Sequence, residues 1–240
     1  MNYKTAIFKI GGKILEDHES LTSTISQLEQ LFQENLIQNI ILIPGGGTFA
    51  NFIRKVYCEL KLTEEIAHWM GIISMNYNGL ELKNKFPDLE VIEDFNQLKK
   101  LNKGFTIFLP YEFLKEIDQL PHSWDVTSDS ITLFIAEELG LQECFLIKEV
   151  DGILDNNFQV IKEIKTSEFK DMKKSGKLAE FLSKNTELKE QTTPIDPYIL
   201  TLIEKYKISC VLLNGNKKTT NILKYFKSDN EKERFYTRIK

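Results

Sequence analysis

Cysteine and histidine are both scarce in this chain, with three of each in 240 residues. Cys58, Cys144 and Cys210 are widely spaced and odd in number, each in an apolar context. That pattern excludes a disulfide framework and suits buried thiols in a reducing compartment. His18, His68 and His122 show no metal-ligand spacing; His18 reads as surface, His68 as a helix residue that either lines a pocket or is satisfied within the core. There is no surplus of basic residues, 31 Lys and Arg against 35 Asp and Glu for a net charge of −4, which excludes broad nucleic-acid binding. No apolar run approaches the ~20 residues of a membrane span, and no signal-peptide pattern precedes the first strand. The expectation is a cytoplasmic protein with no membrane or nucleic-acid partner. Two nucleotide signatures are also missing: nothing matches Gly-x4-Gly-Lys-Ser/Thr, and no Gly-x-Gly-x-x-Gly occurs.

What the chain does have is a pair of glycine loops, each directly behind a strand-like apolar run. The first reads Ala6-Ile7-Phe8-Lys9-Ile10-Gly11-Gly12-Lys13, the second Ile40-Ile41-Leu42-Ile43-Pro44-Gly45-Gly46-Gly47. A helix-like stretch follows each. Glycine lets the backbone approach a ligand closely, and a following helix contributes the positive end of its dipole. One such loop alone reads equally well as a tight turn. Two on neighbouring parallel strands fit a site for two facing phosphate groups.

The alternation of buried strands with helices predicts a mainly parallel sheet covered on both faces. Strands are expected at 5–10, 40–43, 91–92, 106–109, 145–147, 209–213 and 235–239. Helices are expected at 21–34, 48–60, 63–85, 128–139, 194–206 and 219–225, with Thr63 in the first turn of the third and Gly140 stopping the fourth. The lysine- and glutamate-rich stretch 156–190 reads as a solvated edge or a lid. No repeat or low-complexity linker appears, and 1–240 reads as one domain.

Lys9 interrupts an apolar run where a strand meets the glycines. Burying a lysine on a central strand is costly unless an anion faces it; an edge strand with the lysine reaching solvent is the alternative. Phosphoryl transfer needs mainly positioning and charge neutralisation, which a lysine beside glycine N–H groups supplies. The polar segment 121–130 opens into an apolar helix, so Thr127, Ser128 or Asp129 either caps that helix or, for Asp129, holds a cation such as Lys9. Lys148-Glu149-Val150-Asp151-Gly152 follows a strand as a turn that fits against a sugar or base.

In order, Lys9-Ile10-Gly11-Gly12, Pro44-Gly45-Gly46-Gly47-Thr48-Phe49-Ala50-Asn51, Thr127-Ser128-Asp129-Ser130 and Val150-Asp151-Gly152-Ile153 resemble the amino acid kinase family across nearly the whole chain. The resemblance implies a three-layer α/β/α sandwich around a largely parallel central sheet. It implies ATP and Mg2+, a small phosphorylated substrate over an N-terminal lobe of about 1–125, and nucleotide over a C-terminal lobe of about 126–240. It also implies a homodimer or higher homo-oligomer.

Residue by residue, the resemblance makes Lys9 the stabiliser of the transferring phosphoryl group and Asp129 its orienting partner. Gly11, Gly12 and Lys13 would meet phosphates; Lys148, Asp151 and Gly152 would border the nucleotide. Gly45, Gly46, Gly47, Asn51, Arg54, His68, Asn76 and Trp124 would form the acceptor side, the glycines Gly11, Gly12, Gly45 and Gly46 acting through backbone N–H groups. No residue is assigned to a resident metal.

Within the family the likeness is to the branch of methanofuran biosynthesis, which phosphorylates an aminomethylfuran-methyl phosphate to its diphosphate. A uridylate-type nucleoside monophosphate kinase and a non-catalytic nucleotide- or oxyanion-binding member are the alternatives. Lys13 stands where a small residue is common, and Lys148-Glu149 where Thr-Asp is common. A Gly-Gly-Met-x-x-Lys element, as in acetylglutamate kinase, is missing before Pro194. Asn51 stands where a histidine is expected for isopentenyl phosphate, which disfavours that acceptor.

Overall fold

A computed structural model describes residues 3–179 and 194–240. The first half of the chain forms β1 (Tyr3–Ile10), α1 (Gly12–Glu16), α2 (His18–Gln33), β2 (Ile37–Pro44), α3 (Gly47–Leu60), α4 (Glu64–Lys85), β3 (Glu90–Ile92), α5 (Phe95–Lys99), β4 (Gly104–Phe108) and α6 (Tyr111–Ile117). The second half forms α7 (Ser128–Glu138), β5 (Glu143–Lys148), β6 (Glu163–Ile164), α8 (Thr166–Lys174), α9 (Tyr198–Tyr206), β7 (Ser209–Asn214), α10 (Asn221–Lys227) and β8 (Tyr236–Ile239).

The strands join one eight-stranded sheet in the order β3-β4-β2-β1-β5-β7-β8-β6. Every pairing is parallel except β7 with β8. The central strands carry no polar alternation because helices cover both faces. Ile7, Ile43, Leu146 and Leu212 point to one face, with residues of α7 and α9. Phe8, Ile10, Leu42, Phe145 and Ile147 point to the other, with residues of α2 and α10. Phe8 and Phe145 stack across β1 and β5 with ring centroids 4.9 Å apart. The result is the expected three-layer α/β/α sandwich.

Ends and short pieces depart from expectation. α1, α5 and α6 have five, five and seven residues, too few to display a helical period in sequence. The helix expected from 194 begins at Tyr198, because Pro197 is its cap and the residues before it form a loop. Thr63 caps α4 by accepting a hydrogen bond from Ile66 N–H, and Gly140 closes α7 at φ +69°. Of the stretch 156–190, residues 180–190 lie outside the described residues; the described part holds β6 and α8. Among the described residues no helix is long and apolar enough to cross a membrane.

The sheet order reverses direction between β1 and β5: β2 lies on one side of β1 and β5 on the other. Ligands of open parallel sheets bind in the crevice beyond the carboxyl ends of the strands at such a point. Both glycine loops emerge there side by side, since Ile10 of β1 is in register with Pro44 of β2.

Candidate active site

Strand parity decides where the lysines go. Lys9 lies two residues after Ile7 and Lys148 two after Leu146, so both point to the face packed by α7. Asp129 stands in the first turn of that helix, where Thr127 Oγ1 accepts a hydrogen bond from its N–H at 3.4 Å. The three side chains converge. Lys148 Nζ donates to Asp129 Oδ2 at 2.6 Å, and Lys9 Nζ lies 2.9 Å from Oδ1 as an ion contact not aligned as a hydrogen bond. Lys9 and Asp129 are buried, with 5% and 2% of their surface exposed.

Burial alone would push the Asp129 carboxyl up, but Lys148 and Lys9 overcome it and hold the group down at about 2. Burial pushes the Lys9 ammonium down to about 8, Asp129 opposing and the neighbouring Lys148 adding to the shift. With both lysines protonated, two ammonium groups face one carboxylate. A buried excess of one positive charge is costly until an anion meets it. The cluster opens into a cleft of ~550 Å³ lined also by Gly11, Gly12, Gly45, Gly46 and Gly47.

The two loops touch. A Cβ on Gly12 would stand 2.8 Å from Gly47 Cα, and Gly47 itself has φ +53°. The N–H groups of Gly11 and Gly45 differ from expectation: Gly11 donates to Ile147 O at 2.8 Å and Gly45 to Ile10 O at 2.9 Å. Both extend the sheet ladder, so these two glycines serve the cleft through close approach of the backbone. Beyond them, Gly12 opens α1, and α3 starts at a cap, Gly46, that brings no capping side chain.

The other end of the cleft is aromatic and basic. Arg54 lies over the Trp124 ring at 4.8 Å and has no carboxylate partner among the described residues. His68 stacks on His122 with centroids 5.0 Å apart, and His122 Nε2 is 2.6 Å from Asp118 Oδ1. Burial, helped by His122, pushes His68 down to about 4, so it is neutral at pH 7. Asn51 is exposed and also lines the cleft, as does Lys13, which is solvent-exposed with Glu149 at 3.7 Å.

Three expected site residues lie outside this lining. Asn76 was expected on the acceptor side, but its Oδ1 accepts from Tyr111 N–H at 3.2 Å and anchors the start of α6. Asp151 accepts from Asn214 Nδ2 at 2.8 Å and Asn221 Nδ2 at 3.0 Å, tying its turn to β7 and α10. Gly152 sits at φ +148° with Thr237 Oγ1 2.4 Å from where a Cβ would be.

One residue near the site has no counterpart among the expected ones. Asp196, 1% exposed, accepts from Thr127 N–H, Thr127 Oγ1, Ser130 N–H, Ser130 Oγ and Ile199 N–H at 2.5–3.0 Å. It ties the start of α7, which carries Asp129, to the start of α9. Burial and the nearby Asp129 push its carboxyl up, and these hydrogen bonds pull against them. The local signal is only an aspartate between two prolines, Pro194 and Pro197. Among the described residues no group of three or more His, Cys, Asp and Glu side chains gathers as for a metal ion.

A model of the amino acid kinase family matches residues 4–214, most of the chain and every element that builds this cleft. The chain belongs to the amino acid kinase family. As a member it is a phosphotransferase, and it is similar to other kinases. Over 214 residues, 87% of each chain, it is 28% identical to the [5-(aminomethyl)furan-3-yl]methyl phosphate kinase of Methanocaldococcus jannaschii. In fold it is similar to the UMP kinase of Ureaplasma parvum, with a TM-score of 0.71 and 20% identity over 100% of this chain and 97% of that one. It is also similar to the uridylate kinase of Archaeoglobus fulgidus, with a TM-score of 0.66 and 18% identity over 99% and 100%.

Proposed function

We propose that this amino acid kinase family member is an ATP-dependent kinase that transfers the γ-phosphoryl group to the phosphate of a small phosphate monoester, producing a diphosphate. The observation that carries the reading is the cluster of buried Lys9 and Asp129 with partly buried Lys148 facing the cleft. Its surplus positive charge matches what a transferring phosphoryl group needs, and Asp129 fixes both ammonium groups before substrate arrives. Nucleotide lies over the lobe of about 126–240 and acceptor over that of about 1–125. Lys9 meets the transferring group, Gly12 and Lys13 the adjacent phosphates, and Lys148 borders the nucleotide. Asp151 and Gly152 support the nucleotide side as a fixed turn. Magnesium arrives with ATP as part of the substrate, because Mg2+ is commonly held by substrate phosphates and water.

On the acceptor side, Gly46, Gly47 and Asn51 cradle the phosphate and Arg54 pairs with it. Trp124 and His68 bound the rest of the molecule. An aromatic-walled end that sets a neutral His68 beside Arg54 suits a small ring-bearing phosphate monoester, and the 28% identical relative supports [5-(aminomethyl)furan-3-yl]methyl phosphate as the first to try. We place the protein in the cytoplasm as a homodimer or higher homo-oligomer. Exposed Phe52, Leu60, Ile66 and Leu80 on α3 and α4 offer an apolar face for pairing. The test is ADP release from MgATP with a panel of phosphate monoesters that includes this compound and UMP, with Lys9→Ala as control. Release with UMP alone favours the uridylate-type reading. Nucleotide binding with no turnover across the panel favours a non-catalytic member.

A further inference from the structure

We infer that Trp124 is a specificity-determining residue of the acceptor side: its indole N–H donates a hydrogen bond to the monoester's phosphate, on an oxygen that Arg54 leaves free. This deepens the acceptor side of the reading above and rests on it.

Trp124 Nε1 is sealed from solvent and has no hydrogen-bond acceptor among the described residues. A buried N–H without a partner is rare in folded proteins, because its lost hydration goes uncompensated. The ring that carries it is well packed. Arg54 lies over it at 4.8 Å, and Tyr57 meets it at 63° with centroids 6.0 Å apart. Its Cζ3 is 3.8 Å from where a Cβ of Gly71 would stand. The backbone of the residue is held on both sides. Ser123 Oγ accepts from Asp125 N–H at 3.2 Å, and Ser123 O accepts from Val126 N–H at 3.2 Å. Asp125 O accepts from Tyr198 N–H at 3.3 Å, and Val126 is buried in the core. Trp124 is thus a fixed donor, whereas Arg54 reaches it from α3 on a long side chain without a carboxylate partner among the described residues.

The two groups differ in direction, and that difference reads the shape of an anion. The guanidinium lies over the face of the ring, while the indole N–H points outward from its edge, in the ring plane. An arginine fork takes two oxygens of an anion in one plane. A carboxylate has only those two. A phosphate has a third outside that plane, which the indole N–H meets. Pairing with the phosphate draws Arg54 toward the ligand and off the indole, and the ligand's third oxygen gives the orphaned N–H its acceptor. The pair therefore favours phosphate over carboxylate as the group that receives the phosphoryl.

The test uses Trp124→Phe, which keeps an aromatic ring under Arg54 and removes the N–H, checked by thermal melting. With the monoester of the panel that turns over fastest, the acceptor KM is expected to rise about 10–100-fold, the worth of one hydrogen bond to a charged group. The kcat and the ATP KM are expected to stay within about threefold. Trp69 and Trp124 are the two tryptophans of the chain, so proton–nitrogen NMR of wild type shows two indole N–H resonances, and the variant assigns them. Titration with inorganic phosphate is expected to move the Trp124 indole proton downfield, as a new hydrogen bond to an oxyanion does, and acetate to leave it in place. A ring that served packing alone would not produce that selective shift. A folded variant whose acceptor KM stays within about threefold of wild type, or whose loss lies in kcat alone, overturns the proposal. So does a Trp124 resonance that stays in place throughout the phosphate titration or moves equally with acetate. If wild type turns over no acceptor, the kinase reading fails; the phosphate titration still decides on Trp124, because it needs no turnover.

Discussion

Gly12 and Gly47 stand against each other across the carboxyl ends of β1 and β2, with Gly47 Cα 2.8 Å from where a Cβ of Gly12 would be. The two loops therefore leave no room between them for even a single methyl group. Gly12→Ala is expected to destabilise the protein by about 1–3 kcal/mol and to lower kcat/KM, because backbone rather than a flexible side chain has to move. Thermal melting and initial rates check both effects; a variant with wild-type melting and rate would show that the loops need not touch.

Lys9 gives the pH dependence a definite sign. Its ammonium is pushed down to about 8 in the unliganded protein, so rising pH removes the charge that, under the proposed function, meets the phosphates. The kcat/KM profile, which reports the free enzyme, is expected to fall as pH rises through about 8. Bound phosphates favour the protonated form, so the limb in kcat lies at higher pH. Rates from pH 6 to about 10 test this, and coincident limbs in the two profiles would contradict it.

Asp196 carries five hydrogen bonds on one buried carboxylate. Asp196→Ala leaves those donors unpaired and is expected to cost at least about 3 kcal/mol. Because Asp129 rides on the same helix start, kcat is expected to fall as well. Denaturant unfolding measures the first effect and ADP release the second.

Under the proposed function Arg54, over the Trp124 ring, pairs with the acceptor rather than the nucleotide. Arg54→Met is expected to raise the acceptor KM about 10–100-fold, the worth of one charged hydrogen bond, and to leave the ATP KM unchanged. A rise in the ATP KM instead would reverse the assignment of the two ends of the cleft.

These residues also mark how far the sequence could be read. Lys9 was legible because a lysine inside an apolar strand is a local anomaly, and the glycines because they recur at two strand ends. The sandwich was legible from buried strands alternating with helices. The partnership of Lys148 with Asp129 was not, since it depends on how α7 packs against β5, a tertiary contact that no local pattern announces. Asp196 was missed for the same reason, its partners Thr127 and Ser130 lying 69 and 66 residues away. Asn76 was expected in the acceptor pocket because the family resemblance carried it there with His68, yet its amide is used by Tyr111. Nor does a glycine reveal in sequence that its N–H completes a neighbouring strand, as those of Gly11 and Gly45 do.

The central claim is that the Lys9–Asp129–Lys148 cluster drives transfer from ATP onto a phosphate. Phosphorus NMR of a reaction holding MgATP and [5-(aminomethyl)furan-3-yl]methyl phosphate tests it most directly, beside the same reaction with Lys9→Ala. The account predicts coupled resonances of a new diphosphate appearing as ADP accumulates, and none with the variant. Release of inorganic phosphate alone, or equal diphosphate from the variant, would contradict it.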